Sequence, residues 1–164
     1  MKYDEFTTFT ESGDGDQDLW MFLTRTRLLI FRARQLELRR YRITPERADL
    51  LFLVQAMDNK ATPAALSRYL LRRPDSTDEL VNRMAKSGLV KRVKDLDRKN
   101  LVRVSITQKG LEAYEQSAKR GPIHRIMSKL TPEEKNEFRQ YLEKIYHQAR
   151  KELGMDADKL PPSE

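Results

Sequence analysis

Arg68, Arg72, Arg73, Ser76, Thr77, Asn82, Arg83 and Lys86 crowd one short stretch, and Arg98 and Lys99 follow it closely. Guanidinium and ammonium groups bind phosphates, while hydroxyls and amides exchange hydrogen bonds with phosphates and base edges. This is equipment for holding a polyanion. Material for covalent or metal chemistry is scarce. The chain has no cysteine, which removes disulfides, thiol catalysis, thiol sensing and Cys-based zinc sites together. His124 and His147 stand apart, and Glu143 four residues before His147 makes only two ligands. Asp14, Asp16 and Asp18 have the spacing that opens a calcium loop, but Leu19 and Arg25 occupy the places of its Gly and its bidentate Glu. No Gly-rich phosphate loop and no Ser/His/Asp set is visible. No catalytic residue, metal site or cofactor is expected.

The 164 residues suit one domain, or one domain with an oligomerisation appendage. Lys and Arg number 32 against 25 acids, a net charge of +7 that favours an anionic partner. The excess is uneven. Residues 1–18 carry −5, residues 19–41 carry +5 and residues 42–107 carry +6. No apolar run approaches the ~20 residues that span a membrane, and the acidic, polar start does not read as a signal peptide. A cytoplasmic protein without membrane contact is expected.

Several elements must position the polar stretch. Residues 1–18 read as a flexible acidic arm. Leu19, Phe22, Leu23, Leu29, Ile30, Ala33 and Leu36 keep helical spacing through to Tyr41, and Trp20, Leu28, Phe31 and Leu38 widen the face. So wide an apolar face suits a helix shared between a core and a dimer interface. Thr44-Pro45, Thr62-Pro63 and Thr131-Pro132 each put a capping hydroxyl before a proline at the first helical position. Helices should therefore start near 45, 63 and 132, and Glu134 adds a capping box to the last. A further short helix fits 75–87, stopped by Gly88, with Asp75 a candidate N-cap. Leu89–Val93 and Leu101–Ile106 read as a β-hairpin with a basic tip at 94–100. Thr107 should cap another helix, which Gly121-Pro122 interrupts near Arg120. The final helix should run over 132–153, followed by a loose tail at 156–164.

A short helix, a turn and a second short helix make a helix-turn-helix, and the hairpin makes a wing. The second helix fits the major groove, where base edges carry a readable pattern, and the wing brings cations to the flanking backbone or minor groove. The residues themselves carry a resemblance. Leu66-Ser-Arg-Tyr-Leu70, Ser76-Thr77, Leu80-Val-Asn-Arg-Met84, Gly88-Leu-Val-Lys-Arg92 and Val102-Arg-Val-Ser-Ile-Thr-Gln-Lys-Gly110 together resemble the core of the MarR family. The likeness extends over about residues 19–153.

The resemblance implies a mainly α (α+β) fold, a winged helix-turn-helix with long N- and C-terminal dimerisation helices. Residues 19–43 and 108–155 would form the dimerisation part and 44–107 the DNA-binding core. It implies a homodimer that inserts two recognition helices into a pseudo-palindromic operator on double-stranded DNA, most often as a repressor. A small aromatic or phenolic effector would bind between the two parts. Arg68, Arg72, Arg73, Ser76, Thr77, Asn82, Lys86, Arg98 and Lys99 are the candidate DNA contacts. Arg83 either supports a DNA contact or pairs with Asp95 or Asp97. Ser67, Lys60, Lys91 and Lys94 are generic phosphate candidates. Trp20, Phe31, Tyr41, Phe52 and Tyr114 are candidates to line an effector cleft, with Arg27 or Arg34 as partner of an acidic effector. Two features depart from the family pattern. Asp75, Asp78 and Glu79 make the start of the recognition helix acidic, and Asp97-Arg98-Lys99 lies one residue further from Thr107 than usual. The acidic start is the one feature favouring a rival class, a winged-helix module for protein–protein contact alone.

Overall fold

Four threonines set helix starts in the computed structural model, which describes residues 13–94 and 102–155. Thr44 accepts from Arg47 N (3.4 Å) at the head of α2 (Pro45–Ala56), and Thr62 from Ala65 N (3.1 Å) at the head of α3 (Pro63–Tyr69). Thr107 accepts from Gly110 N (3.0 Å) before α5 (Gln108–Ala118). Thr131 and Glu134 form the expected capping box before α7 (Pro132–Glu152). Between these lie α1 (Gly15–Arg39), α4 (Pro74–Lys86), β1 (Val90–Lys94), β2 (Val102–Ile106) and α6 (Gly121–Met127). The architecture is the expected one, a winged helix-turn-helix between long flanking helices. The expected loose tail and residues 95–100 of the hairpin tip lie outside the described residues, as do residues 1–12 of the acidic arm.

Two helix starts differ from expectation. α1 begins at Gly15, inside the stretch read as an arm. The Asp14 carboxylate accepts from Asp16 N (3.0 Å) and Gln17 N (3.3 Å), and Asp16 and Asp18 sit in the first turn. These acids therefore cap the helix and complement its dipole. α4 begins at Pro74 rather than 75, so Asp75 lies within the first turn and is not the cap. Arg73 holds the cap position without a side-chain hydrogen bond. The interruption near Arg120 is present. Arg120 adopts a left-handed conformation (φ 46°) and turns the chain into α6.

β1 and β2 pair antiparallel from Val90–Ile106 to Lys94–Val102. The α2–α3 connection lines the other edge of β2. Ala61 O accepts from Val104 N (2.7 Å), and the Asn59 side chain accepts from Ile106 N (2.8 Å). Asp58 and Asn59 are both left-handed there, which their short polar side chains tolerate. The core runs from Leu38 at the end of α1 to Val104, through Leu50, Leu51, Val54, Leu66, Val81 and Met84. Thr77 of α4 is wholly buried among them, and its hydroxyl has no hydrogen-bond partner among the described residues.

α4, the hairpin base and α5 are clamped together. Thr107 N donates to Leu89 O (3.1 Å), and its hydroxyl lies 2.6 Å from Gly88 O and 3.1 Å from Leu89 O. Lys109 Nζ donates to Ser87 O (2.9 Å). Gly110 packs so closely that a Cβ there would stand 1.9 Å from Leu89 O and 2.8 Å from Ile106 Cγ1.

Gly110→Ala is expected to cost at least about 2 kcal/mol, because backbone must move to admit the methyl group. Urea unfolding followed by circular dichroism reads this as a lower midpoint. Thr77→Val replaces an unsatisfied buried hydroxyl with a methyl of similar shape and should stabilise by about 1 kcal/mol in the same assay.

Candidate nucleic-acid interface

Helical spacing divides α4 into two sides. Thr77, Leu80, Val81 and Met84 point into the core, while Asp75, Glu79, Asn82, Arg83 and Lys86 are exposed. Ser76 and Asp78 are half-buried between the two sets. The polar side is the face that a duplex groove would meet. Thr77 is therefore corrected as a candidate contact. Its place in the apolar repeat with Leu80, Val81 and Met84 turns the side chain inward, so it cannot reach a base or a phosphate.

The turn before α4 is closed from both directions. Ser67 Oγ donates to Arg72 O (2.6 Å), and Arg72 N donates to Ser67 O (3.0 Å). Leu71 between them is left-handed (φ 50°) and exposed. This buries Ser67, so it is a clasp of the turn rather than a phosphate ligand. It also sets Arg72 and Arg73 immediately before the uncapped amino end of α4, where helix dipole and cations favour an anion together. Arg68 is exposed on α3.

Cations of the hairpin extend this surface. Lys91, Arg92 and Lys94 are exposed on β1, while Arg98 and Lys99 fall outside the described residues. Arg92 reaches back to α4 and donates to the Asp78 carboxylate. Asp78 also accepts from Asn82 Nδ2 (3.2 Å). Arg83 pairs with Glu79 one turn away (3.7 Å), while its expected partners Asp95 and Asp97 lie outside the described residues. The Arg92 contact went unread in the sequence, because a partner 14 residues away across a strand leaves no periodic signal.

The effector candidates do not converge. Trp20 and Phe31 lie 11 residues apart along α1, which puts them roughly 16 Å apart by helical rise, and Arg27 is exposed between them. Tyr114 packs half-buried against the core. Phe52 lies under the Arg120 guanidinium (5.0 Å). Arg34 donates to Glu37 and to Ser117 O, so it serves to fasten α1 to α5. Glu37 completes this junction by accepting from Gly121 N (2.8 Å). Asp49, on α2 near Phe52, has its carboxyl raised above the usual range by desolvation, with Arg34 pulling it down, Glu46 raising it and Arg120 pulling it down. Tyr41 does line a cavity, of about 380 Å³, with Arg42, Ile43, Arg47, Ser87, Leu89, Lys109 and Ala113. It joins the end of α1, α2, the end of α4 and α5, with three cations beside an apolar wall. None of Trp20, Arg27, Phe31, Phe52 and Tyr114 lines it.

No family model matches the chain, and no curated protein matches it. Solved structures do. The organohalide-sensing transcriptional regulator RdhR-CbdbA1625, bound to 2,4-dichlorophenol, is 27% identical with a TM-score of 0.81, over 94% of this chain and 92% of that one. A variant of MarR from E. coli in complex with operator DNA is 20% identical with a TM-score of 0.71, over 77% and 92%. AbsC, a MarR family regulator from Streptomyces coelicolor, is 18% identical with a TM-score of 0.77, over 84% and 95%. With its recognition helix, wing and flanking helices in the same order, the chain has the winged helix-turn-helix fold of the MarR family of transcriptional regulators.

Proposed function

We propose that this chain is a sequence-specific DNA-binding transcriptional regulator, acting as a ligand-responsive repressor on a pseudo-palindromic operator. The observation that carries the reading is the polar side of α4, with Asn82, Arg83 and Lys86 exposed, Arg72 and Arg73 at its amino end and Arg92 of the wing alongside. The solved relative held by operator DNA supports it. The role is that of a regulator and not an enzyme. The rival reading as a protein-contact module keeps exposed Asp75 in its favour, while Asp78 and Glu79 are each matched by an arginine of the same chain.

A homodimer accounts for the apolar surface that a single chain leaves uncovered. Leu19, Trp20 and Leu29 on α1 are 61%, 60% and 63% exposed, and Phe138, Tyr141, Leu142, Ile145 and Tyr146 are exposed on α7. A groove of about 540 Å³ between α6 and α7 is lined by Met127, Phe138, Leu142 and Tyr146, with Lys135, Arg139 and Glu143 at its side. Isolated soluble chains rarely leave patches this apolar uncovered. We assign α1 and α5–α7 to dimerisation and α2 to β2 to DNA. For the effector we favour a small phenolic or aromatic anion in the cavity bounded by Tyr41, Arg42, Arg47 and Lys109.

Fluorescence anisotropy with the DNA beside the protein's own gene, against a scrambled duplex, tests the function. Native-duplex preference is expected, with log K falling against log salt at a slope near −5 for about six phosphates per dimer. Added 2,4-dichlorophenol is expected to weaken the complex. Binding to neither duplex would return the protein-contact reading. Sedimentation equilibrium should give about twice the 19.3 kDa of one chain. Leu142→Glu should yield a monomer and cut operator affinity at least ~100-fold, since each half-site would then be held alone.

A further inference from the structure

We propose that Asp78 is a positioning residue, a carboxylate strut that holds the wing in a fixed relation to the recognition helix. The inference rests on the DNA-binding reading of α4. An acid on a face that meets phosphate carries a repulsive cost, so its presence there calls for a compensating role. Both of its oxygens are engaged within the chain. Oδ1 accepts from Arg92 on β1, and Oδ2 accepts from Asn82 Nδ2 one turn further along α4 (3.2 Å). One carboxylate thus holds a cation of the wing and an amide of the recognition helix.

Glu79 provides the contrast. It pairs with Arg83 at 3.7 Å on the same helix, with side chains 73% and 57% exposed. Such a pair is a surface ion pair within one element and fixes nothing between elements. The Asp78–Arg92 pair is more enclosed, at 45% and 31%, and joins two elements. Beyond Val90, β1 exposes every residue from Lys91 to Lys94, so core packing does not hold that part of the strand. The backbone ladder holds the strand to β2, and the strut adds a tie to α4 that packing does not supply. The strut also engages one N–H of the Asn82 amide, which fixes the orientation in which that amide meets the DNA. Asp78 therefore contributes to sequence preference through Arg92 and Asn82 without reading a base itself.

The test uses the full chain with D78A, D78N, R92A and the D78A/R92A double variant. The first readout needs no DNA. Amide hydrogen exchange across Val90–Lys94 should quicken about threefold in D78A and in R92A, and no further in the double variant, with D78N between D78A and the parent. The second is anisotropy on native and scrambled duplexes. D78A should lose native preference about fivefold while scrambled binding holds or tightens, because a negative charge has gone. Unchanged exchange, or additive losses in the double variant, would overturn the strut. Equal tightening on both duplexes would reduce Asp78 to a repulsive charge and overturn it too. Should the parent bind neither duplex, the regulator reading fails by itself, and the exchange cycle still decides whether Asp78 ties wing to helix.

Discussion

One backbone carbonyl, that of Leu89, is the point on which the molecule turns. It receives the N–H of Thr107, lies against the Thr107 hydroxyl and is covered by Gly110. Leu89 follows the recognition helix and opens the wing, while Thr107 and Gly110 close the wing and start α5. Three parts with different proposed tasks thereby share one short junction: the helix proposed to face DNA, the hairpin beside it and the helices that lead towards the proposed partner. The close contact leaves no room for a side chain at 110, so the angle between α4 and α5 is set by backbone rather than by adaptable packing.

Much of the fold was legible because its starting points use local chemistry. Thr44, Thr62, Thr107 and Thr131 cap helices where a hydroxyl precedes the helix, and a cap is read from adjacent residues alone. Asp14 and Pro74 show the limit of that reading. Asp14 caps as well as any threonine, yet a run of acids beside glycines also describes a solvated arm. Pro74 opens α4 after an arginine with no capping hydroxyl, so the start is placed one residue late. In both cases composition and local signal conflict, and the tertiary structure decides.

The site was legible by element and less so by side chain. That α4, its preceding turn and the hairpin would present cations followed from their order along the chain. Which hydroxyls face outward did not. Ser67 and Thr77 sit beside exposed polar residues in sequence, but helical phase turns both inward. The effector candidates, Tyr41 apart, do not share one cavity for a related reason. Aromatic residues on an amphipathic helix mark a face, not a cavity, and the cavity beside Tyr41 and Lys109 gathers residues from four elements. Contacts such as Arg92 with Asp78 or Arg34 with Ser117 O depend on how elements cross, which no periodicity encodes.

Among the described residues, the buried apolar side chains of the core lie between Leu38 and Val104, and Arg150 is the buried residue of α7. The parts that would read DNA and the parts that would pair two copies therefore draw on nearly separate sets of side chains. For an evolving lineage this is a form of modularity. Substitutions along α7 change surface chemistry without opening holes in the core, and core substitutions leave the outward stripe of α7 as it was. The spacing between two reading heads can drift, or a new partner can be accepted, while the reading head keeps its shape.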